Sequence, residues 1–411
     1  MSATLHNSPA AFRFIFITVL LDMLALGIIV PVLPSLVSDF MEGDTAKAAM
    51  MIGLFGTVWA AMQFIFSPLL GVLSDRFGRR PVILLSCLGL GLDYILMALA
   101  PTIGWLLAGR VLSGITAANM STANAYISDV TPADKRSKAY GLLSCAFGVG
   151  FIMGPAIGGW LGSTDPRLPF WCAAACCLLN TLYGCFVLPE SLPPEKRQAK
   201  IQWKIANPAG AVALLKSDTR LACLAAINFI GYLAHEVYPT VFVLYTMHRY
   251  GWDESAIGTA LAVVGVATII ISGGVVGIAV KKLGERGTLF AGLALGAAGF
   301  WLFGWASAGW MFLLAIPVNS LWGLAGAPTQ TMMTQIVPAT RQGELQGALG
   351  SLRSVAMLVG PGLFAAVYAG FLAGPNPMPG APWYLAAAML VVSLVVARLI
   401  LQKPQPQEAV S

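Results

Sequence analysis

Residues 71–80 read Gly71-Val-Leu-Ser-Asp75-Arg76-Phe-Gly78-Arg79-Arg80. Residues 277–286, 206 positions later, read Gly277-Ile-Ala-Val-Lys281-Lys282-Leu-Gly284-Glu285-Arg286. The same offset aligns Pro132 with Pro338, Gly141 with Gly347, and Gly154-Pro155 with Gly360-Pro361. One register running through separate segments marks an internal duplication. Each copy of the ten-residue stretch follows a long apolar run, so the duplication is one of membrane-crossing helices.

Composition agrees with that reading. Of 411 residues, 57% are hydrophobic and 10% charged, and the mean hydropathy is +0.78. A soluble chain carries roughly a quarter charged residues. A spanning helix needs about 20 mostly apolar residues, because only its own hydrogen bonds satisfy its peptide groups in lipid. Apolar runs fall at 12–34, 48–70, 81–100, 104–128, 139–162, 169–189, 219–245, 254–280, 287–307, 309–335, 344–372 and 381–402. The first run is too long for the apolar region of a signal peptide, so it is read as a span.

The expected fold is therefore all-α, with twelve transmembrane helices in two six-helix halves. The first half covers 1–189, a linker 190–218, and the second half 219–411. Six spans separate equivalent positions, so both copies enter from one side, which is a parallel repeat.

Of the 24 Lys and Arg residues, all but five fall on one side if the N-terminus is cytoplasmic. Lys47, Arg167 and Arg249 lie outside, and Arg110 and Arg353 lie within spans. That bias puts both termini and the linker in the cytoplasm. The net charge of +6 then reflects topology and contact with anionic lipid head groups, and nothing resembles a nucleic-acid surface. The seven cysteines all sit in apolar runs without metal-ligand spacing, so they read as packing residues and no metal is expected. No phosphate-binding loop and no Ser/His/Asp or Cys/His constellation is apparent, so neither an enzyme nor a cofactor is expected.

In the 71–80 stretch, the glycines Gly71 and Gly78 permit a tight turn. An acidic residue such as Asp75 among Arg76, Arg79 and Arg80 can seek the positive N-terminal end of a helix. A contact of that kind would hold the cytoplasmic side shut and break when the halves rock. In the fifth span, Gly150-x-x-x-Gly154-Pro155-x-x-Gly158-Gly159 combines a small-residue stripe for close helix approach with a proline that bends the helix.

With these motifs, the chain resembles the major facilitators of the drug–proton antiporter group, and within it the tetracycline efflux proteins. The resemblance also rests on Leu21-Asp22 through Gly27, Pro31-Val-Leu-Pro34, Gln63-x-x-x-Ser67-Pro68, Leu92-Asp93-Tyr94, Gly109-Arg110-x-Leu-Ser-Gly114-Ile-Thr and Arg341-Gln342-Gly343-Glu344-Leu-Gln346-Gly347. It implies proton-driven export of a small hydrophobic or amphipathic compound from a bacterial inner membrane, by a monomer whose partners are the substrate, protons and lipid. It assigns proton-coupling roles to Asp22 and Arg110 and a coupling motif to Gly154-Pro155. A metabolite uptake or facilitative carrier on the same fold is the alternative.

The charges by themselves agree with this in part. Asp22 lies about 15 Å into its span at 1.5 Å per residue, where a carboxyl is expected to face a central cavity and carry a proton. Arg110 cannot be deprotonated and must find a carboxylate, carbonyl or water. Asp93 is either a permanent counter-charge or a substrate contact. Gln63, Asn119, Asn228 and Gln330 are polar candidates for a substrate cavity, or else helix-packing hydrogen bonds.

The second half departs from the resemblance. Thr268 and Gly296 stand where a histidine of the eighth span and an aspartate of the ninth are expected, which weighs against recognition of a magnesium–tetracycline chelate. His235-Glu236 and Arg353 are charges the resemblance does not supply. Glu236 with His235 can form a second protonation site, and Arg353 can serve as its counter-charge or as a contact for substrate anions.

Overall fold

The computed structural model describes residues 9–117, 119–132, 135–197 and 214–401. These are helical, with no strand among the described residues. Ten helices are long and apolar enough to cross a membrane, and a shorter apolar one covers Ile103–Thr116. The sequence reading expects twelve. Two expected spans differ because residues 254–305 run on as one helical stretch, interrupted at Gly284 by a backbone with φ 69°, and because the fourth apolar run is broken after Thr116.

Many large apolar side chains point outward, among them Phe186 (83% exposed) and Trp160 (68%). In water such a surface would aggregate. In a bilayer it is the solvated face, and helices associate through close packing and interhelical hydrogen bonds.

The chain divides into two compact units, 1–204 with 243–265, and 205–242 with 266–411. In the first unit, α1 (Pro9–Ile29) packs on α7 (Arg136–Gly162) and α8 (Leu168–Val187). The first unit also holds α2 (Leu33–Phe40), α3 (Thr45–Phe77), α4 (Arg79–Ala98), α5 (Ile103–Thr116) and α6 (Asn119–Val130). Asp44 starts α3 by accepting from the Lys47 amide at 3.0 Å. Gly78, with φ 108°, ends α3 and lets α4 begin at the next residue.

The α1–α7 contact shows what the glycine stripe does. A Cβ on Gly154 would lie 2.5 Å from the Cα of Gly27, and one on Gly150 would lie 2.6 Å from the Cβ of Met23. Backbone therefore meets backbone, where a methyl group has no space to enter. On another side of α7, Gly159 and Pro155 meet Gly258 of α11 (Glu254–Ile270). Pro155 sits inside α7 without ending it.

The second unit contains α9 (Thr219–His235), which starts on Asp218, whose side chain accepts from the amides of Arg220 and Leu221. Next come α10 (Val237–Tyr250) and α11, each of which passes from one unit to the other along its length. A π-turn at Ile271–Val275 leads into α12 (Val276–Trp305). Then follow α13 (Gly309–Ser320), a tight 3-10 turn at Leu321–Ala325, α14 (Gly326–Ile336), α15 (Gln342–Ala373) and α16 (Ala381–Leu401). The core here is aromatic: Phe303 stacks on Phe312 at 4.2 Å between ring centres, and Trp383 packs edge-on to Phe303 at 5.2 Å and to Tyr238 at 5.6 Å.

Candidate functional site

Asp22 on α1 is 3% exposed. The sequence reading expects it to open on a cavity, but it is closed in. Asn180 of α8 donates its Nδ2 to Asp22 Oδ1 at 2.9 Å and to the Thr18 carbonyl at 2.9 Å, and the Cys87 thiol of α4 lies 3.6 Å from the same carboxylate oxygen. These partners come from two other helices, so packing inside the first unit fixes this carboxylate. An Asn180 partner 158 residues away leaves no local signal in the sequence.

Two turns along α4 lies a second buried group. Asp93 is fully buried, and Arg110 Nη2 of α5 reaches its Oδ2 at 2.9 Å. The same guanidinium nitrogen lies 3.4 Å from the Met97 sulfur. A side chain on Gly109 would meet Asp93 Oδ1 at 2.5 Å, so glycine beside the arginine makes space for the pair. Of the two readings of Asp93, the geometry is that of a counter-charge to Arg110. A buried ion pair holds together because removing either partner strands the other. α4 thus carries Cys87 beside Asp22 and Asp93 beside Arg110.

The 71–80 stretch builds a polar cluster at the other end of the unit. Arg79 makes an ion pair with Asp75 at 2.5 Å and with Asp129 of α6 at 3.3 Å, and donates to Ser74 Oγ at 2.6 Å. The nearby helix N-terminus, that of α4, is occupied by Glu190 rather than Asp75. Its carboxylate accepts from the amides of Arg79 at 2.8 Å and Arg80 at 3.3 Å. Two orphan donors and the positive helix end are thereby satisfied. Ser191 donates to Asp129 at 3.1 Å, and Arg197 lies 3.9 Å from Glu190. Gly78 lies against the Glu190 carboxylate, which a side chain there would displace. Arg76 is exposed, over the ring of Phe77 at 5.3 Å, and a Cβ on Gly71 would touch nothing. Glu190, Asp129 and Ser191 went unnoticed in the sequence. The signal available was Pro189-Glu190, an acid just past the end of the sixth apolar run.

In the second unit, α9 ends at His235 and Glu236 caps it. Glu236 is half-buried, with its side chain lying over Gly360 of α15, where an added Cβ would be 2.5 Å from its Cγ. The His235 ring is 5.7 Å from that of Tyr238 and 6.2 Å from Trp322 in the 3-10 turn. Arg353 of α15 is exposed, and its guanidinium lies over the ring of Tyr232 at 5.8 Å. No ion pair within 4 Å joins Arg353 to Glu236 among the described residues. As a direct salt bridge, the expected Glu236–Arg353 pairing is absent.

Gly296 has a packing reason. A Cβ there would sit 2.8 Å from the Cβ and Cγ of Trp322 and 2.9 Å from Leu390. The indole occupies the space that a side chain would need, so a carboxylate cannot be accommodated. Thr268 is exposed. Gln63 donates to the Ala117 carbonyl at 3.4 Å, which makes it a helix tie. Asn228 and Gln330 are half-buried on α9 and α14. Asn228 stands 206 residues from Asp22, so the duplication puts an amide where the first copy has a carboxylate. The side chain of Asn119 lies outside the described ones.

Comparison with known proteins gives one family and many relatives. A family model described as the Major Facilitator Superfamily matches residues 15–361 and 224–411. The class C tetracycline resistance protein of Escherichia coli is 37% identical over 95% of this chain and 97% of its own length. The class D protein of Salmonella ordonez is 35% identical over 98% and 99%. Among solved structures, the nucleoside transporter NupG superposes with a TM-score of 0.76 at 14% identity, covering 96% of this chain and all of its own.

Proposed function

The chain belongs to the Major Facilitator Superfamily, and from that premise we propose that it exports a small hydrophobic or amphipathic compound across a bacterial inner membrane in exchange for protons. The observation that carries this reading is the near full-length identity to tetracycline resistance proteins, in a chain that keeps a carboxylate within its first membrane helix. Relatives named for drug resistance lend their class of activity here, while Trp322 in the space beside Gly296 argues against a site built on a carboxylate at that position.

In this scheme Asp22 takes up and releases the coupling proton. Asp93 and Arg110 form the fixed charge pair behind it, because an arginine stays protonated and can tune a neighbouring acid only electrostatically. Gly71, Asp75, Arg76, Gly78 and Arg79 act at the cytoplasmic gate, and Gly154 with Pro155 acts at the α1–α7 seam. The junction of α3 and α4 is braced by the Arg79 ion pairs to Asp75 and Asp129, contacts that would have to break for the gate to open. The two halves 1–189 and 219–411 rock about the linker 190–218, with both termini cytoplasmic, and the protein works as a monomer that carries substrate and protons.

Proteoliposomes with an imposed pH gradient test the proposal. Gradient-driven movement of drug out of the compartment corresponding to the cytoplasm, abolished by a protonophore, is the expected result. Movement that ignores the gradient would indicate a facilitative carrier, and movement in the direction of the proton flux would indicate uptake.

A further inference from the structure

We propose that the second unit holds the substrate-recognition site around Arg353, Trp322 and His235, and that this site takes a planar aromatic compound bearing an anionic group. The inference rests on the export reading and specifies its substrate class.

Arg353 is the first observation. It lies on a membrane-crossing helix, where a permanent positive charge is costly and is retained for a purpose. Among the described residues it has no hydrogen bond and no ion pair, and its contact is the face of Tyr232. A guanidinium laid over an aromatic ring keeps its planar fork of donors free for a carboxylate or sulfonate, which that fork matches in a bidentate way.

The second observation is a pair of helix breaks that meet. α9 ends at His235 and α10 begins at Val237, while the 3-10 turn Leu321–Ala325 separates α13 from α14 and carries Trp322. Irregular backbone at membrane depth is tolerated where it lines a protein-enclosed site. The two breaks face each other through His235 and Trp322.

The third observation is how Trp322 is held. Its stem is seated on Gly296, its ring edge lies 3.6 Å from the position a Cβ would take on Gly231, and Phe300 packs on it at 5.4 Å. It is nevertheless half-buried, and His235 beside it is exposed. The indole is fixed at its base and partly exposed, an arrangement that can stack a planar ligand at little cost in side-chain entropy. Two rings with one free guanidinium favour an aromatic anion. A cation would meet Arg353 as a like charge.

Glu236 supplies the sign test, because it is the carboxylate that follows His235 at the end of α9. Binding of naphthalenesulfonate and of a naphthylmethyl trimethylammonium cation to the purified full chain in detergent would be measured by equilibrium dialysis. Arg353→Met should weaken sulfonate binding by about tenfold or more, the scale of a charge-assisted contact. Arg353→Lys should recover part of it, Trp322→Leu should weaken it too, and Glu236→Gln should tighten it by removing a competing negative charge. Size-exclusion profiles identify any variant that fails to fold, and in that case Arg353→Lys and Glu236→Gln still decide. Unchanged sulfonate binding in both Arg353 variants, or preference for the cation with looser sulfonate binding in Glu236→Gln, overturns the proposal. Sulfonate binding that depends on Arg353 without gradient-driven transport in proteoliposomes would leave the site standing and overturn the export reading alone.

Discussion

Asn180 Nδ2 lies 2.9 Å from Asp22 Oδ1 and also donates to the Thr18 carbonyl, so one amide of α8 ties the backbone and the carboxylate of α1 together. Asn180 is an uncharged donor, and the Cys87 thiol lies 3.6 Å from the same carboxylate oxygen.

Replacing Asp22 with Asn keeps the shape and leaves an oxygen that can still accept from Asn180. Expression should persist, uphill export should be lost, and downhill counterflow of substrate should survive. Accumulation against a gradient at the unmodified level would remove Asp22 from the coupling scheme.

Glu190 and Asp75 separate two kinds of contact. Glu190 accepts from two amides at the start of α4, and loss of a helix cap costs about 1 kcal/mol. Asp75 makes an i,i+4 pair with Arg79, a contact worth about 0.3–0.5 kcal/mol. Glu190→Ala should therefore lower the detergent-solubilised melting temperature more than Asp75→Ala does, and the reverse order would show that α4 does not depend on its cap.

Glycines in this chain should divide by sign. Gly154→Ala forces a methyl group against Gly27 backbone and should cost about 1–3 kcal/mol, the range for overpacking. Gly71→Ala meets nothing in the interior of α3, so it should be neutral or stabilise by up to about 1 kcal/mol. Thermal melts of the two variants check this, and equal losses would contradict the α1–α7 packing.

Trp322 and Gly296 should show strong coupling. Gly296→Asp alone should destabilise, because the indole already fills the space. Adding Trp322→Ala should recover much of the loss. Additive effects in the double-mutant cycle would mean that the two residues do not share the space.

Asp44, outside the spans, offers a pH test. Donation from the Lys47 amide and side chain holds its carboxyl below the usual aspartate value. A lowered folded-state value stabilises above the unfolded one and is lost as pH falls through the folded one. The melting difference between the unmodified chain and Asp44→Ala should thus persist at neutral pH and shrink below the ordinary aspartate range. A difference that grows on acidification would reverse the sign.

Much of this protein was legible in one dimension. Apolar runs of spanning length, the 206-residue repeat and the Gly154-Pro155 stripe are local patterns, and a bilayer makes local patterns decisive because each spanning segment must satisfy its own backbone. The sequence alone therefore determined a helical, duplicated membrane fold, and Asp22, Arg110, Glu236 and Arg353 could be singled out as charges in apolar surroundings. What it did not determine was which charge meets which. Asn180 reaches Asp22, Glu190 rather than Asp75 caps α4, Arg353 lies over Tyr232 without a salt bridge to Glu236, and Trp322 takes the space beside Gly296. Those pairings depend on the faces that distant helices turn toward one another. Packing in three dimensions selects those faces, and hydropathy along the chain carries no record of them.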